Sequence, residues 1–94
     1  MADFMMAMSI IQSAKKSRAV LSEEINDSFE VFSQKDIKVH KLYATLGRYD
    51  FVAVFAAKDQ AQAFKVASDI NNLGVLDTET WPIIPYEDFT KLLS

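Results

Sequence analysis

Two stretches of this chain are apolar without alternation, and two others carry apolar residues every third or fourth position. Phe4 to Ile11 is apolar apart from Ser9, and Phe51 to Ala57 is apolar on both faces. Such unbroken runs are expected of strands buried on both sides. Ile37 to Leu46 is also expected to be a strand. Its two faces, Ile37, Val39, Lys41, Tyr43, Thr45 and Lys38, His40, Leu42, Ala44, Leu46, are both mixed. The four residues Gly47, Arg48, Tyr49 and Asp50 between these last two strands make them an antiparallel hairpin, with Gly47 supplying backbone freedom at the turn. Val75 to Ile83 is expected to be a fourth strand, with Val75, Asp77, Glu79, Trp81 and Ile83 on one face and Pro82 marking an edge or exit.

The helical spacings fall between the strands. From Ser17 to Ser33, Val20 or Leu21, Ile25, Phe29 and Phe32 form one stripe, with Ser17 or Ser22 as the N-cap. From Asp59 to Leu73, the stripe is Ala63, Phe64, Ala67, Ile70 and Leu73, with Asp59 as cap and Gly74 as stop. A short terminal helix follows Pro85, its Phe89, Leu92 and Leu93 facing inward. The order β-α-β-β-α-β, with right-handed crossovers, gives one ferredoxin-like α+β domain over residues 1–94: a four-stranded antiparallel sheet, order 4-1-3-2, with both helices on one face.

That fold leaves the other sheet face uncovered. In a lone domain the open face should be polar. Here the central strands are apolar on both faces, so Met5 or Met6, Met8, Val52, Val54 or their neighbours point outward whichever phase holds. At about 25 cal/mol per Å² of apolar area, leaving that face wet forgoes several kcal/mol, comparable to the stability of a small domain. A second copy packed sheet to sheet is the expected remedy, giving a homodimer or larger assembly. A monomeric apolar cavity, or cover by the C-terminal segment, is the rival arrangement. With 94 residues and no cysteine, the chain has a thin core and no disulfide to reinforce it.

Composition narrows the partners. Half the residues are hydrophobic, which argues against disorder. Ten Lys and Arg stand against thirteen Asp and Glu, a net charge of −3, with no basic stripe, so nucleic acid is not an expected partner. The apolar N-terminal run is too short to span a membrane, and Lys15, Lys16 and Arg18 follow it rather than precede it as a signal peptide requires. These features point to a cytoplasmic protein without a membrane partner, the basic trio forming a solvated loop.

The stretch LYATLGRYDFVAVF, residues 42 to 55, closely resembles the signature of the GYD-domain family, read here as Gly47, Tyr49 and Asp50 with Arg48 in the variable slot. Gly74 and the following VLDTETWP resemble the fourth strand of that family. The resemblance is close over residues 37 to 83 and holds in outline before that, where a Met-rich strand replaces the family's polar loop. It implies a dimeric α+β barrel and adds no reaction, because the family is largely of unknown function. Its architecture also carries cofactor-free monooxygenases, lactone isomerases, haem-binding enzymes and amino-acid-sensing modules, and fold alone transfers none of these.

Candidate chemistry lies in a few side chains, each with a structural alternative. Arg48, Tyr49 and Asp50 either complete a turn or stand at a cavity mouth, with Arg48 a carboxylate clamp, Tyr49 a hydroxyl donor and Asp50 an acceptor or base. Glu79 is either a solvent-facing guard of an edge strand or a buried acid–base carboxylate. His40, the single histidine, is a surface or interface residue, or a base, or a haem ligand if the barrel held haem. One His and no Cys argue against a protein-only metal site, and no cofactor is expected. A small-molecule pocket between sheet and partner is expected to be lined by Tyr43, Arg48, Tyr49, Asp50, Glu79 and Trp81. The function expected is ligand binding or modulation of a partner by a homo-oligomer. The alternatives are a cofactor-independent enzyme of proton-transfer or monooxygenase type, with Asp50, Glu79 or His40 as base, and a structural assembly subunit.

Overall fold

The structure, a computed structural model, describes residues 1–11 and 17–94. Its elements are β1 (Ala2–Ile10), α1 (Arg18–Gln34), β2 (Lys38–Ala44), β3 (Phe51–Ala57), α2 (Gln60–Asn72), β4 (Leu76–Ile83) and α3 (Tyr86–Leu92). The strands form one antiparallel sheet in the order β2-β3-β1-β4, the expected order read from its other edge. Arg18 of the basic trio opens α1, and the loop expected around Lys15 and Lys16 lies outside the described residues.

Ladder register decides which residues enter the core. Phe4, Met6 and Met8 pair with Phe55, Ala53 and Phe51, so these six share the helix-covered face. They join Val31 and Phe32 of α1 and Ala63, Val66 and Ile70 of α2 in one apolar cluster. Three rings anchor it: Phe4 stacks on Phe55 with centroids 5.7 Å apart, and Phe32 tilts against Phe55 at 5.2 Å. The complementary set, Met5, Ala7, Val52, Val54 and Ala56, faces away from the helices. Trp81 and Ile83 extend that apolar surface onto β4.

Four expectations need correction. The alternation expected along β2 breaks at a bulge between Val39 and Lys41. One extra residue shifts the pleat by one position. Val39 therefore pairs with Phe55 on the helix side, while Lys41 and Tyr43 pair with Val54 and Val52 on the open side. The inner stripe of α2 runs through Ala63, Val66 and Ile70, and Phe64 is 71% exposed. Phe89, Leu92 and Leu93 do not face inward: α3 buries none of its residues. Its start is held by Asp88 and Phe89 amides donating to Pro85 O, at 3.0 and 3.2 Å, so the segment is an amphipathic arm with its apolar side unoccupied.

Caps agree with the residue types. Ser17 Oγ accepts from Val20 N at 3.4 Å, and Asp59 Oδ1 accepts from Gln62 N at 2.9 Å. Gln62 also ties the two helical units, donating through Nε2 to Lys35 O at 3.0 Å and accepting from Lys58 N at 2.6 Å. The fourth correction concerns Gly47, which is not among the residues with positive φ, whereas Gly74 has φ 76° where the chain leaves α2. An added methyl would meet nothing within 4 Å at either site. Gly74→Ala should therefore lose about 1–2 kcal/mol to left-handed strain. Gly47→Ala should stay within about 0.5 kcal/mol of the parent. Paired urea melts would measure both, and equal losses would contradict this backbone assignment.

Candidate functional site

Six residues, 45–50, connect β2 to β3 and are held to β1 by hydrogen bonds. Thr45 N donates to Asp50 O at 2.9 Å, and the Thr45 hydroxyl donates to Tyr49 O. Asp50 N then donates to Met8 O at 2.8 Å, carrying the β1–β3 ladder one step past Phe51. The Asp50 carboxylate accepts from Ile10 N through Oδ2 at 2.8 Å. Asp50 is thus occupied in fixing the end of β1, the local hydrogen-bonding role that Asp plays in turns.

Fixing Asp50 places Tyr49 on the open sheet face. Its hydroxyl donates to Glu79 Oε2 at 2.5 Å. In the ladders Ala7 lies between Val52 and Glu79, so the phenol reaches from the β2–β3 loop across β1 to the edge strand. Ala7 is buried although no helix covers its side of the sheet. The guanidinium carbon of Arg48 lies 6.0 Å from the Tyr49 ring centroid. Trp81 stands two residues beyond Glu79 on the same face, beside Met5 and 37% exposed.

Of the expected site residues, then, Arg48, Tyr49, Glu79 and Trp81 come together. Tyr43 shares their face but sits on the opposite edge strand, with β3 and β1 between. His40 is elsewhere: its Nε2 lies 3.3 Å from Asp3 Oδ1. Asp3 precedes Ala7 by four strand positions, roughly 13 Å at the usual rise per residue. Glu79 is exposed in the single chain, so its burial depends on what meets this face.

The Tyr49 hydroxyl is held above its usual pKa, chiefly because it donates to Glu79, then through desolvation and the negative charge of Glu79, with Arg48 opposing. A raised pKa in the folded state stabilises the protonated phenol. The contribution is complete below the unfolded tyrosine value near 10 and is lost as pH rises through the higher folded value. Tyrosinate absorbance should therefore show Tyr49 ionising at higher pH in Glu79 protein than in Glu79→Gln. Coincident titration curves would refute the contact.

The opposite side of the sheet holds a feature that the sequence pattern did not reveal. Between α2 and β4 lies a cavity of about 430 Å³, floored by Phe4 and walled by Phe64, Thr78 and Thr80. Assigning Phe64 to the inner stripe hid it. The available signal was the Thr78–Thr80 pair on one strand face opposite Ala63 and Ala67 on a helix, small residues where a core has large ones.

The sequence profile of the GYD domain matches residues 4–93. No curated protein matches the chain. Among solved structures, the chain is similar to TTHA0845 from Thermus thermophilus, with 20% identity, TM-score 0.61, and coverage of 90% of this chain and 95% of that one. It is also similar to the leucine response regulatory protein LrpA of Mycobacterium tuberculosis, with 11% identity, TM-score 0.62 and 89% of this chain covered. This chain spans 51% of LrpA. FFRP-DM1 is similar over 89% of this chain and 100% of that chain, at 16% identity and TM-score 0.58. At such identities these likenesses establish the ferredoxin-like fold and nothing of activity. Among the described residues no helix is long and apolar enough to cross a membrane. The GYD profile, by contrast, spans nearly the whole chain and takes in the loop that binds β1 and reaches β4, and on that ground this protein belongs to the GYD domain family.

Proposed function

We propose that this protein works as a homodimeric α+β barrel that binds a small organic molecule between its two sheets, beside Arg48, Tyr49, Glu79 and Trp81. The observation that carries the dimer is the composition of the open face. Its centre is Met5, Ala7, Val52, Val54 and Ala56, its β2 side carries Lys38 and Lys41, and its β4 side carries Asp77 and Glu79. An apolar centre with a charged rim is how protein interfaces are built. A two-fold axis parallel to the strands sets the β2 edge of one copy opposite the β4 edge of the other, so basic meets acidic at both rims. The alternative axis sets like charge against like. The unoccupied apolar side of α3 supplies an arm for the same partner, with Tyr86 and Phe89 rings 6.3 Å apart along it.

Val54→Lys tests this. Light scattering should give a monomer with an unchanged far-UV circular dichroism spectrum, and the parent dimer should weaken as salt rises. A parent that is monomeric at high protein concentration would end the proposal. A chain truncated after Ile83 should keep its fold and associate more weakly.

The ligand reading rests on a fixed donor–acceptor couple beside an aromatic surface. Tyr49→Phe and Glu79→Gln should remain dimeric and lose the thermal stabilisation that a small-molecule screen finds for the parent. The same couple favours the cofactor-independent enzyme as second reading, with Glu79 as base and Tyr49 as donor. In that case Glu79→Gln would bind the ligand and fail to turn it over.

A further inference from the structure

We propose that the cavity between α2 and β4 is a second binding site, specific for an uncharged small organic molecule with a carbonyl or hydroxyl head and an apolar or aromatic body. It lies on the helix side of the sheet, so it is separate from the open-face site and does not depend on association.

The cavity follows from the fold. β4 is an edge strand, and its helix-side residues above Leu76 are Thr78, Thr80 and, at its end, Pro82. Opposite the two threonines α2 presents Ala63 and Ala67. Two short residues facing two short residues leave the space unfilled, where a core elsewhere reaches close packing. At about 430 Å³ it lies within the range of small-molecule sites.

Its polar groups come from both walls, Gln60, Ser68, Asn71 and Asn72 from α2 and Thr78 and Thr80 from β4, and all are uncharged. Thr80 Oγ1 is buried and has no hydrogen-bond partner, the single such side-chain atom found among the described residues. A buried hydroxyl left unpaired is costly, and native structures seldom keep one without a use. Beside it Thr78 Oγ1 donates to Asn71 Oδ1 at 3.0 Å, which orients that amide at the cavity's edge. The apolar surfaces are the Phe4 ring, the two alanines and the exposed Phe64 ring.

Charge decides the ligand class. Among the described residues, no Lys, Arg, His, Asp or Glu lines the cavity. A carboxylate, phosphate or ammonium would lose hydration there with no counter-charge to replace it. A neutral carbonyl or hydroxyl would instead find the unpaired Thr80 hydroxyl, and its ring would lie against Phe4 and Phe64. The Thr80 hydroxyl both donates and accepts, so it serves either head group.

The test compares three probes of one shape: benzamide, benzoate and benzylamine. Benzamide should saturate the parent protein and shift the methyl resonances of Ala63, Ala67, Thr78 and Thr80. Benzoate and benzylamine should bind at least tenfold more weakly. Thr80→Val, which keeps the shape and removes the hydroxyl, should melt no lower than the parent without ligand and bind benzamide about tenfold more weakly. Ala67→Phe, which fills the space, should abolish binding. The proposal falls if none of the probes saturates the protein. It also falls if the charged probes bind as well as benzamide, if Thr80→Val binds unchanged, or if the shifts centre on Val54 and Trp81. A clear drop in melting temperature for Thr80→Val would show that the hydroxyl is already satisfied, and would equally overturn it.

Discussion

Replacing Phe55 by alanine should cost about 3–5 kcal/mol, the loss typical of a buried phenylalanine. Phe55 is fully buried on the central strand β3 and is the ring shared by two aromatic contacts of the core, to Phe4 and to Phe32. Those two neighbours come from β1 and α1, so truncation leaves a cavity where sheet and helix meet. A domain of this length holds roughly 5–14 kcal/mol in all. The variant should therefore unfold at a much lower urea concentration, and a melting curve without a folded baseline would be no surprise. Phe64→Ala is the matched control: the same deletion from an exposed ring should change stability by under about 0.5 kcal/mol. Similar losses from both would mean that the register placing Phe55 inward is wrong.

Asp50→Ala should cost about 1–3 kcal/mol, because it strands the Ile10 amide that the carboxylate accepts. Asp50→Asn keeps an acceptor oxygen and should recover part of that loss. The local readout is hydrogen exchange. In Asp50→Ala the Ile10 amide should exchange far faster, while amides in the middle of β1, paired to β3 and β4, remain protected. Tyr49 is positioned through the same loop, so the variant should also lower the Tyr49 pKa from its raised position toward the ordinary tyrosine value. An Ile10 amide as protected as in the parent would remove Asp50 from this structural role.

Element order, strand pairing and the existence of an apolar open face were all legible along the chain, because each rests on local periodicity or on short connections. Unbroken apolar runs at Phe4 and Phe51 identify the central strands, and the helical spacings at Leu21 to Phe32 and Ala63 to Ile70 identify the two covering helices. Spacing also brought Arg48, Tyr49, Glu79 and Trp81 under consideration. What spacing cannot carry is phase. Met5 and Met6 are equally apolar, and only the pairing of Met6 with Ala53 decides that Met6 faces the helices and Met5 the open side. A bulge at His40 splits the expected faces of β2, leaving Val39 on the helix side and Lys41 and Tyr43 on the open side, a shift visible only in its pairing with β3.

The sequence by itself thus determined the fold class and the presence of an apolar second sheet face, since both follow from the unbroken apolar runs of the two central strands. Only the tertiary structure decided that Asp50 is committed to Ile10, that Tyr49 crosses β1 to reach Glu79, and that Thr80 faces an unfilled space. Each of these joins residues at least thirty positions apart or depends on the volumes of side chains from different elements. Distance in space and the fit of packed volumes are set when the layers come together, and local pattern does not encode them.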